Sequence, residues 1–322
     1  MKNLKGWAWL ACAAMMCSGV SSAAAWPTRP VTMVVPYPAG GATDVVARAL
    51  SEKLTAKWGQ TVVVENRAGA GTTIGAASVA RSAPDGQTLF MTTSAHTISR
   101  YLYKNLSYDP VSDFAPITLV TKVPLVLVVN PDVPAKDLES FLAYIKKGGS
   151  GVNFASPGNG TAQHLSGELF KIASQSDIVH VPYRGDAPAI TDLMGGQVQM
   201  MLATITAVLP MIESGKLRAL AVANDKRVSA LAEVPTFTEA GMPGFQAATW
   251  FGLLAPAATD PARIAQIHDD VAGIVDTPEM RKRLESLGGE VMNSTPQAFG
   301  EFMQEETRRW GEAVKASGTT AQ

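Results

Sequence analysis

Two stretches of this sequence are suited to hold an anion on main-chain atoms. The first, Pro36-Tyr37-Pro38-Ala39-Gly40-Gly41-Ala42-Thr43-Asp44, follows the apolar run Val31-Thr32-Met33-Val34-Val35. The second, Ser156-Pro157-Gly158-Asn159-Gly160-Thr161, follows Val152 to Ala155. Each leaves what reads as a buried strand and opens an amphipathic helix. A loop so placed presents unpaired N–H groups at the positive end of a helix dipole. The glycines let a guest approach the backbone, and the Thr43 and Thr161 hydroxyls add a cap or a donor. Neither loop contains Lys or Arg, so neutral donors would hold the guest, which suits a carboxylate better than a multiply charged phosphate. Tight turns alone explain one such loop equally well; a pair, one in each half, favours a guest.

Other chemistry is sparse. Gly69-Ala70-Gly71-Thr72-Thr73-Ile74-Gly75 imitates a dinucleotide fingerprint, but Glu65 to Ala68 intervene after the strand and no acidic partner follows at the required distance. It reads as a turn and a helix start. The sequence has no G-x-S-x-G elbow and no H-E-x-x-H, and offers only His96, His164, His180 and His268. His268 falls in a helical repeat. His96 and His164 follow the third strand and the second glycine loop, so both are placed to face a cleft as hydrogen-bonding groups. No metal ligand set and no cofactor site is expected.

Short β-branched runs alternating with amphipathic patterns must position these loops, which points to α/β architecture with largely parallel sheets. Strands are expected at Val31–Val35, Thr61–Glu65, Gln87–Thr93, Leu125–Asn130, Val152–Ala155, Ile178–Val181, Gln197–Leu202 and Leu217–Val222. Between them helices are expected from Thr43 or Asp44, over Thr72–Ala80, from Leu138 to Gly148-Gly149, behind Thr161, and over Ala187–Met194 and Val208–Ser214. The C-terminal segment reads as helical, with Asp260-Pro261, Thr277-Pro278 and Thr295-Pro296 each setting a cap before a first-turn proline.

Lys2 and Lys5, the uncharged stretch Trp7 to Val20 and Ala23-Ala24-Ala25 read as a signal peptide, residues 1–25, cleaved after Ala25. Export to the periplasm follows. Both cysteines, Cys12 and Cys17, lie in that segment, so disulfides and thiolate chemistry are excluded from the mature chain. Removing Lys2 and Lys5 leaves 25 of the 27 basic residues against 28 acidic ones, a net charge of −3, with no basic patch for nucleic acid. The 297 residues from 26 to 322 suffice for two lobes.

Several runs in order carry a family resemblance: Val34 to Asp44, Val64-Glu65-Asn66-Arg67-Ala68-Gly69-Ala70-Gly71, Pro84-Asp85-Gly86, Gly158 to Thr161 with His164-Leu165, and His180-Val181-Pro182-Tyr183-Arg184-Gly185. Leu217 to Val222, Val234-Pro235-Thr236, Gly241-Met242-Pro243-Gly244 and Trp250-Phe251-Gly252 continue it. The chain resembles the Bug-type receptors of tripartite tricarboxylate transporters across essentially the whole mature sequence. The resemblance implies a type II periplasmic binding fold, two α/β lobes with the ligand cleft between them. Lobe 1 would comprise 26–122 plus 224–322 and lobe 2 residues 123–223, with crossings near Val120 to Pro124 and Val222 to Asp225. It implies a small carboxylate met by main-chain groups and ordered water, and delivery to a small and a large membrane subunit by a monomeric receptor that is no enzyme.

On this basis the expected ligand contacts are Tyr37, Gly40, Gly41, Ala42, Thr43 and Asp44 with Thr93, Ser94 and Ala95 from one lobe. From the other they are Ser156, Gly158, Gly160, Thr161, His164, Asp186 and Thr204. Asp44 is expected to bind N–H groups of its own loop, and Arg67 and Arg184 to brace loops. Asp186 stands where the family commonly carries a small residue. It either caps the following helix, the favoured reading, or faces the cleft and selects a solute that donates a hydrogen bond or bears an amine. Two other functions fit the same sequence: an exported hydrolase using His164 with a hydroxyl, and a sensory module presenting ligand to a membrane kinase.

Overall fold

The computed structural model describes residues 26–148 and 151–320; the expected signal peptide lies outside the described residues. In chain order the elements are β1 (Val31–Val35), α1 (Ala42–Trp58), β2 (Val62–Asn66), α2 (Thr73–Ala80), β3 (Thr88–Thr93), α3 (Ser94–Leu102), β4 (Phe114–Val129), α4 (Leu138–Gly148), β5 (Asn153–Ser156) and α5 (Ala162–Ser174). There follow β6 (Val179–Pro182), α6 (Asp186–Met194), β7 (Met200–Thr204), α7 (Ile205–Glu213), β8 (Arg218–Val222), β9 (Ala248–Pro256), α8 (Pro261–Val275), α9 (Pro278–Ser286), β10 (Glu290–Val291) and α10 (Pro296–Ser317). Among the described residues no helix is long and apolar enough to cross a membrane.

Two sheets share one long strand. In the first, β1 runs parallel to β2 and β3, β9 pairs antiparallel with β3, and β4 pairs antiparallel with β9 as far as Pro124. From Leu125 the same strand pairs antiparallel with β7 and, from Val126, with β8 of the second sheet, where β5 lies parallel to β7 and β6. Each sheet is the centre of one lobe, covered on both faces. Val46, Leu50 and Leu54 of α1 and Ile267 and Val271 of α8 cover one face of the first, and Phe299 and Met303 of α10 the other. Phe141 and Phe170 cover one face of the second, and Ile190 and Val208 the other. Burial on both faces explains why the strands read as continuous apolar runs.

Helices α8, α9 and α10 start as their sequences dictate, whereas β9, α3 and the two-residue β10 escape the sequence patterns. Asp260 accepts the Ala262 N–H and Thr295 the Ala298 N–H, each with proline in the first turn. The longer missed strand is β9, buried along Ala248–Pro256, where Thr249 and Gly252 interrupt a mainly apolar run without regular alternation. The missed helix is α3, which begins without any loop after β3 and is capped by the Thr93 hydroxyl.

The return crossing differs from expectation. The sequence places it near Val222 to Asp225, yet the chain stays with the second sheet to Ala247. Phe237, Ala240, Met242 and Phe245 pack in the core that holds Phe141 and Phe170, and Ala247 bonds to Ala223 and Leu125. Residues 224–247 hold little regular structure, so no periodic pattern signals their allegiance.

The lobes also meet outside the strands. Ile98 and Leu102 of α3, Ala162 and Leu165 of α5, and Trp310 and Val314 of α10 form one apolar cluster that spans the cleft, with Trp310 4% exposed. Burial of this kind stabilises at about 25 cal/mol per Å2 removed from water, so the closed arrangement has an apolar seam of its own.

Candidate functional site

Between the lobes lies a cavity of about 10 Å3, enough for about one water molecule, lined by polar groups from both sheets. Five helices begin at it. Ala42 opens α1, Thr93 caps α3, Ala162 opens α5, Asp186 opens α6 and Thr204 stands at the start of α7. The cause is topological, because each helix follows the carboxyl end of a strand and those ends face each other across the cleft. Each helix start carries about half a positive charge on its unpaired N–H groups, so five together favour an anion.

Among the described residues Asp186 is the one acidic side chain lining this cavity. It does not cap its own helix: Gly185 is the capping residue and makes no side-chain bond. Instead Asp186 Oδ2 reaches across the cleft and accepts the Ala42 N–H at 3.3 Å. Its Oδ1 is buried without a partner, as is Thr204 Oγ1 in the same cavity. Burial pushes the Asp186 carboxyl up to about 6, against the pull of the Ala42 bond. Gly41 is what allows the approach, since a Cβ there would stand 3.0 Å from Asp186 Oδ2. Beside them Tyr37 OH and Thr93 Oγ1 share a hydrogen bond of 3.0 Å, and burial raises the Tyr37 hydroxyl's pKa.

The sequence-selected residues divide into two groups. Tyr37, Ala42, Thr43, Thr93, Asp186 and Thr204 line the cavity, and Gly41 adjoins it. Asp44 turns inward to its own loop, accepting from Gly40 N–H at 3.0 Å, Arg48 Nε at 2.8 Å and Asn66 Nδ2 at 3.0 Å. Burial opposes its charge, but these bonds outweigh it and hold the carboxyl below its ordinary range. Ser94 bonds Thr249 at 2.9 Å and Ala95 gives its N–H to Thr93, so both serve the framework. Arg67 holds Glu65 at 2.6 Å.

The second glycine loop is satisfied from within. Thr161 accepts the His164 N–H and donates to the Gly158 carbonyl, while His164 Nδ1 accepts the Gly160 N–H at 3.2 Å. The His164 ring stacks on His180 with centroids 3.8 Å apart. Burial pulls His164 down to about 4, and burial with the neighbouring His164 pulls His180 to about 3. Ser156 Oγ lies 2.6 Å from His180 Nε2, a pairing the sequence did not suggest. Ser156 is fully buried and receives the Gly158 N–H, and a histidine with so low a pKa is a poor general base at neutral pH. His164, Glu168 and His180 place ligand-type atoms within 4.8 Å of one another. The Gly160 bond, however, puts the His164 proton on Nε2, the atom that would have to face an ion. His96, expected near the cleft, lies in the core of the first lobe, with Nε2 donating to the Pro110 carbonyl at 2.7 Å.

A wider cavity of about 610 Å3 adjoins the first, sharing Tyr37 and Pro157 with it and including Gly158 and Thr161. Its walls are the segment Ala68–Thr72, Tyr103 and the Pro182–Gly185 turn. The Gly69–Gly75 segment is thus a cleft wall as well as a helix start. At Gly71, with φ +59°, a Cβ would lie 2.7 Å from the Asn159 carbonyl oxygen of the opposite lobe. The sequence missed Pro157, Ala162, Gln163, Thr249 and Phe251 around the inner cavity. The last two belong to β9, and the apolar run containing Trp250-Phe251 was the available signal.

Known proteins are similar to this chain in sequence and fold. Residues 46–319 match the model of the family described as tripartite tricarboxylate transporter family receptor. Protein BugT of Bordetella pertussis is 38% identical over 299 residues, covering 92% of each chain. The solved periplasmic binding protein BugD has a TM-score of 0.88 at 37% identity, covering 92% of this chain and all of its own. Rpa4515 of R. palustris, solved with adipate, has a TM-score of 0.89 at 34% identity, over 91% of this chain and 98% of its own.

Proposed function

This chain belongs to the tripartite tricarboxylate transporter receptor family, and on that premise we propose that it is an exported receptor that closes two lobes over a small carboxylate. The observation that carries the reading is the convergence of five helix starts on one inter-lobe cavity. Tyr37, Ala42, Thr43, Thr93, Asp186 and Thr204 would contact the solute. Gly41 would admit it to the backbone, Gly40, Gly158 and Gly160 would form the turns of the two loops, and Asp44, Ser94, Ala95, Ser156, Thr161 and His164 would fix them.

The inner cavity has no room for a solute with the lobes in contact, so binding requires them to part and then to close less tightly, over the guest. A guest favours the closed state only by touching both lobes, and the shared lining supplies both. The receptor would work as a monomer in the periplasm after loss of residues 1–25, and would pass its solute to membrane transporter subunits. It would catalyse nothing, since neither His164 nor His180 is poised to take a proton.

Thermal-shift screening of the mature protein against a carboxylate panel tests the reading. A bound member at 100 times its Kd adds about 2.7 kcal/mol to stability. Gly41→Val should abolish that shift, because its side chain enters the space between Ala42 and Asp186. A full panel without a shift, or turnover of an ester or amide by the purified protein, would overturn the proposal.

A further inference from the structure

The inner cavity contains two features that a plain carboxylate leaves unexplained. Asp186 is 8% exposed and Thr204 is fully buried, yet Asp186 Oδ1 and Thr204 Oγ1 have no hydrogen-bond partner among the described residues. Both line the same small space, and they come from two different helix starts of the second lobe. Among the described residues the space is lined by no Lys, Arg or His; its other polar side chains are Tyr37, Thr43, Thr93, Gln163 and Thr249. A buried carboxylate with no cationic side chain beside it is costly even near helix starts, and it repels a second carboxylate brought near it. Neither local structure nor helix capping accounts for it, since Asp186 leaves its own helix start unbonded and bridges instead to Ala42.

We propose that the solute is an amino-carboxylate whose protonated amine is taken by Asp186 Oδ1 together with Thr204 Oγ1. This rests on the carboxylate-receptor reading and sharpens it. The acidic side chain supplies the charge that an ammonium needs once water is expelled, and the ammonium supplies the counter-charge that Asp186 lacks. The hydroxyl of Thr204 accepts a second ammonium hydrogen. The solute's carboxylate then belongs to the helix starts facing Asp186, where Ala42 and Thr43 line the opposite wall. A hydroxyl in place of the amine would meet the hydrogen bond and leave the charge unanswered, so a hydroxy acid should bind less well.

Calorimetric titration of the mature protein with matched pairs decides the matter. The pairs are aspartate with succinate, glutamate with glutarate, and phenylalanine with 3-phenylpropanoate, with malate as the hydroxyl control for the first. In at least one pair the amino member should bind tenfold or more tightly than its partner, and aspartate should exceed malate if the first pair binds. Asp186→Asn should remove most of that ratio by weakening the amino member, and Thr204→Val should reduce it by a smaller factor. The wild-type ratios need no variant, so a poorly folding substitution does not blunt the test. Equal or reversed ratios, or malate matching aspartate, would refute the amine site and leave the carboxylate receptor standing. The same holds if none of the pairs binds while other carboxylates do. Failure of every carboxylate would remove both proposals.

Discussion

The two glycine loops look alike in sequence and are completed in opposite ways. At Thr161 the helix start is closed by its own neighbourhood: the Thr161 hydroxyl takes the His164 N–H and the His164 ring takes the Gly160 N–H. At Gly41 there is no side-chain cap, and the first helical N–H, that of Ala42, is answered from the other lobe by Asp186. A self-satisfied loop is a rigid wall. A loop whose amide is met by a group across a closing cleft is a contact that forms and breaks with closure, and it marks where a guest's charge competes.

Removing the carboxylate that crosses the cleft should have the largest effect. Burial raises the Asp186 pKa from 3.8 to about 6, so the folded state holds this proton more tightly than the unfolded chain. The associated stability is therefore present below about pH 4 and lost as pH rises through about 6. A shift of about 2 units corresponds to about 3 kcal/mol. Asp186→Asn should thus be more stable than wild type by about 3 kcal/mol at pH 8 and nearly equal to it at pH 4. Urea unfolding of the ligand-free protein at both pH values measures this. Asp44 has the opposite sign, its lowered pKa adding stability that disappears as pH falls below the ordinary carboxylate range. An unchanged difference between variant and wild type from pH 4 to 8 would show that the Asp186 bridge is not buried in solution.

The glycines of the two loops should then separate by surroundings. Gly160 has φ +79°, and a Cβ there would stand 2.7 Å from Leu102 Cδ1, in the apolar seam of α3, α5 and α10. Gly40 has φ +87° with nothing within 4 Å of a Cβ. Left-handed backbone costs a non-glycine residue roughly 1–2 kcal/mol. Gly40→Ala should lose that alone, about 1 kcal/mol. Gly160→Ala should lose about 2 kcal/mol, because the seam between the lobes must also yield. Chemical denaturation of the two variants side by side gives the order, and equal losses would mean that the seam does not hold the lobes together.

Both loops, with the strands and helices around them, were legible because glycine after a β-branched run and threonine at a helix start leave local marks. The fold's long-range parts were less so. Strand β9 and the stretch 224–247 take their places from what they pack against, and no window of sequence records that Phe237 and Phe245 lie against Phe170. The candidate site was half visible for the same reason. Ala42, Thr43 and Thr93 are named by their loops and strand ends. The reach of Asp186 to Ala42 spans 144 positions and depends on the angle between lobes, so sequence favoured the nearer role of capping α6.

The smallest effect on binding belongs to the loop that completes itself. Thr161→Ala removes the acceptor for the His164 N–H and the donor to the Gly158 carbonyl, and the loss of a helix cap of this type costs about 1 kcal/mol. Because those bonds lie within one lobe, the loss should be equal in the free and the carboxylate-saturated protein, leaving the ligand-induced shift in Tm unaltered. Thermal unfolding with and without a bound carboxylate reads both quantities in one series. A shift that shrinks along with stability would move Thr161 from wall to contact, and the two helix starts would then act on the guest alike.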